Sequence, residues 1–118
     1  MYEWLIPDGF LPPDGDDVPS HEALCVVNPT KQDAQVLVDV YFVDREPLRD
    51  IRLTVAAERS AHWGIGGPYR LGNAEIPTNT PFSLRVRCDV AIAVQYTRVD
   101  ARFARLALMS VFVPPHKA

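Results

Sequence analysis

Apolar and polar residues alternate along most of this chain, and a period of two predicts β-strands rather than helices. The segment 34–43 shows this most clearly, because Val36, Val38, Val40 and Phe42 all fall on one face of an extended chain. The opposite face is half polar, which is typical of a strand that lies next to solvent or next to a second subunit. The pattern therefore predicts a half-buried strand at the centre of a β-sheet.

Five further segments carry the same kind of pattern and end at prolines, glycines or short polar turns. We predict strands at 22–27, 51–55, 81–88, 90–97 and 106–113. The turn residues at 28–33 predict a β-hairpin of the first of these strands with 34–43, and the single residue Asp89 predicts a tight hairpin between 81–88 and 90–97. No amphipathic helix of 12 residues is present, so the expected fold is all-β, an antiparallel β-sandwich of about seven short strands.

Length and composition limit the domain organisation. With 118 residues and 11 prolines, the chain suits a single domain, 1–118. Within it, 1–19 are expected to form an extended N-terminal arm that packs onto the sandwich through its apolar side chains, Trp4, Ile6, Phe10 and Leu11. No apolar run is long enough to cross a bilayer and no secretory signal is visible, so we expect a cytoplasmic protein without membrane insertion.

The charges are distributed unevenly along the chain. Residues 1–50 carry eleven acidic and three basic side chains, whereas residues 51–118 carry four acidic and nine basic ones. Either the two halves compensate each other within one fold, or a basic face forms from Arg85, Arg87, Arg98, Arg102 and Arg105. The total charge of −3 argues against specific nucleic-acid binding, because phosphate contacts need a basic surface.

Motifs that would indicate chemistry are weak. Cys25 and Cys88 are expected to be reduced core residues, and the three histidines do not have the short spacings of a zinc site. The glycine-rich segment 64–68 lacks the Lys-Ser/Thr of a phosphate-binding loop, and no Ser/His/Asp arrangement is evident. We therefore predict no metal, no cofactor and no enzymatic activity.

The most informative polar segment is 95–102, where an apolar strand ends in strong hydrogen-bonding side chains. Arg98 and Asp100 are two residues apart and so project from the same face. Two interpretations remain open: an ion pair that fixes the loop, or the floor of a polar pocket in which Asp100 orients Arg98, with Gln95 and His21 in support.

These residues also carry a resemblance to a known family. The matching elements are Trp4 with residues 9–13, Ser20-His21-Glu22, Cys25, Asn28, residues 44–47, residues 52–55, Arg59, His62, residues 76–77 and residues 95–100. In their order and spacing the chain resembles the soluble transducers of the Anabaena sensory rhodopsin and their bacterial relatives. It departs from them at 63–75 and in the tail at 114–117.

The resemblance implies a cytoplasmic β-sandwich that forms a homotetramer, signals without catalysis and binds a small-molecule ligand, with sugar-like compounds expected. It also implies that the shared polar positions bind the ligand: Trp4, His21, Glu22, Asn28, Arg59, Gln95, Arg98 and Asp100. Two alternatives are a dedicated transducer that relays light signals from a membrane photoreceptor and a sugar-active enzyme. DNA binding has also been considered for the transducer, and the charge balance argues against it.

Overall fold

A computed structural model of the chain describes residues 1–14, 19–102 and 107–117. In chain order the strands are β1 (Tyr2–Gly9), β2 (His21–Asn28), β3 (Ala34–Phe42), β4 (Leu48–Val55), β5 (Arg59–Ile65), β6 (Phe82–Cys88), β7 (Ala93–Asp100), β8 (Ala107–Val113) and β9 (His116–Lys117). Within these described ranges no helix is long and apolar enough to cross a membrane.

The strands form two antiparallel sheets that pack face to face. Sheet A has the order β4-β3-β6-β1-β9, and sheet B has the order β5-β2-β7-β8. Because side chains alternate between the two faces of a strand, each sheet has an inner face towards the other sheet and an outer face away from it. The predicted all-β sandwich is confirmed.

The core follows from the alternation seen in the sequence. Val36, Val38 and Val40 of β3 are fully buried, and Leu84 and Val86 of β6 lie opposite them. Directly opposed β-branched and aliphatic side chains stabilise a sheet through cross-strand packing. The inner face of sheet A is therefore apolar along its central strands.

Both predicted hairpins are wrong, and the reason is the same in each case. β2 belongs to sheet B and β3 to sheet A, so the loop between them crosses from one sheet to the other. Asn28 is buried and organises that crossing: its Nδ2 donates to the carbonyl oxygens of Gln32, Val55 and Ala56, at 2.7, 3.2 and 3.3 Å. The chain also changes sheets between β6 and β7. The turn predicted at Asp89 therefore belongs to a crossing between the sheets and not to a hairpin.

The predicted N-terminal arm also needs correction. Residues 2–9 form β1, which lies inside sheet A and pairs with β6 on one side and with β9 on the other. Trp4 and Ile6 are buried because they face the core opposite Val86 and Leu84. Strands β5 and β9 were not predicted either. The glycines at the end of β5 are typical of a turn, and Pro114-Pro115 before β9 are typical of a chain that leaves a sheet.

The two oppositely charged halves of the chain compensate each other. Arg85 pairs with Glu3, Arg87 pairs with Asp39 and Asp50, and Arg98 pairs with Glu22 and Asp8, so in each case a late cation meets an early carboxylate. Arg102 pairs with Asp100, and Arg105 lies outside the described residues. The described arginines therefore do not form one basic face.

Candidate functional site

Glu22 is the most deeply buried charged side chain among the described residues. It lies on the inner face of sheet B with 0 % of its surface exposed. Its carboxylate accepts hydrogen bonds from Tyr96 Oη, from Arg98 Nε and, at 3.3 Å, from the backbone N–H of Phe10. A buried carboxylate needs this degree of compensation, because an unpaired charge in the interior is strongly destabilising.

Burial dominates the electrostatics of this cluster. Desolvation raises the pKa of Glu22 above its ordinary value, although the hydrogen bonds from Tyr96 and Arg98 act in the opposite direction. Burial likewise raises the pKa of Tyr96, and the neighbouring carboxylate adds to the effect, so the phenol stays protonated as a donor. Tyr96 was not among the predicted site residues, yet a tyrosine on the buried face of a strand signals a need for a polar partner.

The cluster joins the two sheets. Glu22 and Arg98 belong to sheet B, whereas Phe10 follows β1 of sheet A and Asp8 lies within β1. The Arg98 guanidinium reaches the Asp8 carboxylate at 3.4 Å and is 22 % exposed, so only its outer edge meets solvent. These contacts clamp one end of the sandwich.

The predicted pairing of Arg98 with Asp100 is wrong. Arg98 is oriented by Glu22, whereas Asp100 accepts hydrogen bonds from Arg102 at 2.7–3.2 Å, which lower the pKa of the Asp100 carboxyl. Sequence proximity favoured the i, i+2 pair. Glu22 on the neighbouring strand lies directly opposite Arg98, and cross-strand neighbours approach more closely than residues two apart along one strand.

The structure separates the remaining predicted ligand-binding residues. His21 and Gln95 lie on the outer face of sheet B, opposite in direction to Glu22 and Arg98. Asn28 and Arg59 are register partners at the far end of β2, about 20 Å from Glu22 at roughly 3.4 Å per residue. Trp4 is buried in sheet A. The eight predicted residues therefore do not form one pocket.

Several of these residues already have roles inside the protein. Asn28 uses its Nδ2 for the loop carbonyls and its Oδ1 to accept from the backbone and hydroxyl of Thr30, at 3.0 and 2.8 Å. Arg59 is exposed and donates to the carbonyl oxygen of Glu58 at 3.0 Å. His21 Nδ1 lies 3.1 Å from the Pro19 carbonyl oxygen, and its ring is tilted against Tyr69 at 5.4 Å.

The outer face of sheet B has an unusual composition. Its described strand positions contain no aspartate, glutamate, lysine or arginine. Cross-strand register places His62, Cys25, Gln95 and Phe112 in one row across the four strands. A pocket of about 170 Å³ opens over this row and is also lined by Ser60. The surface thus combines a large aromatic ring with neutral hydrogen-bonding groups.

Strand β8 continues this surface and is poorly covered. Leu108 and Phe112 on the outer face are 71 % and 69 % exposed, and Met109 and Val111 on the other face are also exposed. An apolar edge strand exposed on both faces is a surface that proteins normally cover. The sequence showed the alternation of β8, but only the sheet order shows that it lies at an edge.

The comparisons agree with this architecture. A sequence profile for the Anabaena sensory rhodopsin transducer family matches residues 1–113. The chain belongs to the Anabaena sensory rhodopsin transducer family. The solved structure of an Anabaena sensory rhodopsin transducer is 35% identical, with a TM-score of 0.69 over 85% of this chain and 89% of that one.

A second solved structure supports the same fold. The crystal structure of Thermotoga maritima 1070 has a TM-score of 0.82 and 25% identity, and the alignment covers 97% of this chain and 93% of that one. No curated protein sequence matches the chain. The predicted family membership is confirmed over nearly the whole length.

The two cysteines differ in position. Both are free thiols. Cys88 is buried on the inner face of sheet A as predicted for a core residue, but Cys25 is half-buried on the outer face of sheet B, between His62 and Gln95. Burial raises the pKa of the Cys25 thiol, which disfavours the reactive thiolate.

Proposed function

We propose that this chain is a non-catalytic signalling module of the transducer family that binds a small, neutral, sugar-like ligand on the outer face of sheet B. The observation that carries the proposal is the pocket over the row of His62, Cys25, Gln95 and Phe112 on a face without formal charge. Of the predicted ligand-binding residues, Gln95 lines this pocket. Glu22, Asn28 and Arg98 have structural roles, and the ring of His21 contacts Pro19 and Tyr69 on the same face as the pocket.

The chemistry of this face suits a sugar-like molecule. An aromatic ring such as Phe112 packs against the apolar side of a flat ligand, while Gln95, Ser60 and His62 can exchange hydrogen bonds with hydroxyl groups. The pocket volume of about 170 Å³ is below the range of about 300–1,000 Å³ occupied by drug-sized ligands. A single small ring is therefore the expected occupant.

Titration of isotope-labelled protein with glucose, galactose and N-acetylglucosamine tests this proposal by NMR. We expect saturable shifts at Cys25, Gln95 and Phe112, and at least tenfold weaker binding by Gln95→Ala. Ser83→Ala is the matched control, because Ser83 lies on the outer face of the other sheet. Unchanged affinity in Gln95→Ala, or saturable shifts that map elsewhere, would reject the site.

We also propose that the protein forms a homotetramer through β8. The half-polar face of the segment 34–43, which the sequence pattern assigns to solvent or to a second subunit, carries Leu37, Tyr41 and Val43. Leu37 and Tyr41 are half-buried, whereas β8 exposes six of its seven residues. A second copy is the simplest cover for such an edge, since most soluble oligomers are homo-oligomers.

Light scattering tests the assembly. We expect four times the 13.2 kDa chain mass, and we expect the double variant Leu108→Glu/Phe112→Glu to yield smaller species. Val43→Glu is the matched control, because Val43 is also strongly exposed but lies after β3. A monomeric wild-type protein would reject the proposal. If Val43→Glu dissociates the assembly and the double variant does not, the interface lies at β3 rather than at β8.

A second candidate function is the relay of light signals from a membrane photoreceptor in the cytoplasm. The 35% identity to an Anabaena sensory rhodopsin transducer favours it. Co-purification with a detergent-solubilised sensory rhodopsin distinguishes the two functions. If the rhodopsin retains this protein whether or not the sugar probes are present, the result would favour the photoreceptor relay. If the sugar probes abolish the retention, the protein would bind both the sugar and the rhodopsin, and the sugar would control the second interaction.

A further inference from the structure

A second cavity lies along the edge of sheet A. It has a volume of about 540 Å³ and runs between β4 and the segment 72–74. β4 is an edge strand because only β3 pairs with it. The cavity lies within the range of about 300–1,000 Å³ that small-molecule sites occupy.

Two arginines and one aspartate are the charged residues that line this groove. Arg49 and Arg52 line it, and neither guanidinium makes a hydrogen bond or an ion pair with any residue that the structure describes. Asp50 also lines the groove, and its carboxylate accepts from Arg87 at 2.8 Å, a guanidinium that it shares with Asp39. Glu75 accepts from Arg70 at 2.9 Å. The two arginines of the groove therefore outnumber its one carboxylate.

The shape of the groove depends on a β-bulge. Opposite Val38 and Val40, β4 places Ile51 and Leu48, so β4 carries one extra residue at this point. Asp50 adopts a left-handed backbone with φ of 57°, which non-glycine residues rarely occupy. Bulges and such conformations cluster at binding and catalytic sites because they re-aim side chains.

A buried carboxylate holds the bulge in place. Asp39 is 2 % exposed, and its Oδ1 accepts from the backbone N–H of Asp50 at 2.9 Å and from Arg87 at 3.2 Å. The opposite wall lies close to β4, because a Cβ at Gly72, whose φ is 59°, would come within 2.9 Å of Ile51. Arg49 and Arg52 therefore belong to a strand whose bulge is held by hydrogen bonds to a buried carboxylate.

We propose that this groove binds a small organic oxyanion, phosphorylated or carboxylated, between Arg49 and Arg52. The guanidinium fork matches the geometry of both oxyanions, because it donates two parallel hydrogen bonds to them. Asn73 lines the same groove and supplies an amide for neutral groups of the ligand. The site is separate from the neutral pocket on sheet B and does not depend on it.

NMR titration of the labelled full-length chain at fixed ionic strength tests the proposal, with pyrophosphate and citrate as probes. We expect saturable shifts at 48–52 and 72–74 for at least one probe. Pyrophosphate alone would identify a phosphorylated ligand, and citrate alone would identify a carboxylated one. Failure of both probes to saturate with a dissociation constant below about 1 mM would overturn the proposal.

Variants make the test specific. We expect Arg49→Gln/Arg52→Gln to bind the active probe at least tenfold more weakly, and Arg49→Lys/Arg52→Lys to bind with intermediate affinity, since lysine keeps the charge but loses the fork. Lys31→Ala is the matched control, because it removes an exposed cation that precedes β3 and does not line the groove. Wild-type affinity in the Gln variant, or shifts spread over all exposed cations, would reject the site.

Discussion

The two sheets of this sandwich differ in which of their faces, inner or outer, carries the charged side chains. Sheet A has an apolar inner face and carries its ion pairs outside, where Glu3 meets Arg85 and Asp39 meets Arg87. Sheet B has an outer face without formal charge and keeps its charged cluster inside, where Glu22 meets Arg98. The outer faces of the two sheets therefore present different chemistry to the surroundings.

This difference shows what each surface leaves without a partner. On sheet A, Glu3 and Asp39 pair with Arg85 and Arg87, whereas the arginines of the edge strand β4 have no partner among the described residues. On sheet B, the exposed Leu108 and Phe112 leave an apolar area that binding of a ligand or a second copy would cover. The inner cluster of sheet B serves a different purpose, since it fixes the end of the sandwich.

The largest expected effect concerns the buried carboxylate of sheet A. Asp39→Ala leaves Arg87 and the backbone N–H of Asp50 without their buried acceptor, so we expect a loss of about 3 kcal/mol in the free energy of unfolding. Asp39→Asn is the control, because it keeps an acceptor oxygen and should lose less. Urea unfolding measures both. Equal stability of Asp39→Ala and wild type would contradict the role of Asp39.

The next effect concerns the buried carboxylate of sheet B and is visible as a pH dependence. Because burial raises the pKa of Glu22, folded protein keeps this proton to a higher pH than the unfolded chain. Its contribution to stability is full below the ordinary pKa of 4.5 and is lost as the pH rises through the folded-state pKa. A tenfold difference in proton affinity between the folded and unfolded states corresponds to about 1.4 kcal/mol.

Glu22→Gln, which cannot titrate, isolates this contribution. We expect the stability of wild type relative to Glu22→Gln to fall as the pH is raised from the acid side to neutrality, measured by urea unfolding at each pH. A relative stability that increases with pH would mean that the pairing with Arg98 and Tyr96 outweighs burial, and that the pKa of Glu22 is lowered by folding rather than raised.

A smaller effect is expected at the surface ion pair of sheet A. Arg85 Nε donates to Glu3 at 2.7 Å, and the two side chains are 34% and 18% exposed. Arg85→Ala should therefore reduce the free energy of unfolding by about 0.5–1 kcal/mol. High salt should shrink the difference, because ions screen a partly exposed pair. A larger difference in high salt would argue that Arg85 acts through packing.

The smallest stability effect is expected on the outer face of sheet B. Gln95 is exposed, and Gln95→Ala should change the free energy of unfolding by less than about 0.5 kcal/mol. Thermal unfolding of the variant and of wild type measures this difference. Together with weaker ligand binding, a small effect would separate a binding role from a structural one. A loss above about 1 kcal/mol would show that Gln95 supports the sheet.

Much of the fold was predictable because alternation encodes burial directly. The valines of β3 and the residues Phe82, Leu84 and Val86 of β6 face the core as their period of two requires. Family membership was predictable for a different reason, since it rests on the order of motifs along the chain. Neither signal contains information on which strands pair.

The site was less predictable. Position along the chain groups Arg98 with Asp100, Gln95 and His21, because all four fall near two predicted strand ends. Alternation sends Arg98 and Gln95 to opposite faces, and strand pairing brings Glu22 to Arg98 from 76 residues away. The groove at Arg49 and Arg52 forms between the bulge in β4 and the segment 72–74. A local sequence pattern predicts neither the bulge nor the approach of that segment.

By itself, the sequence determined that the chain forms short strands with one apolar face each, because alternation and β-propensity act locally. Tertiary structure alone decided which sheet each strand joins, since a turn such as Asp89 permits both a hairpin and a crossing between sheets. That assignment placed β1 inside sheet A, left β8 at an edge and put opposite charges together. Long-range packing selects these pairings because it buries the most apolar surface while leaving buried polar groups paired.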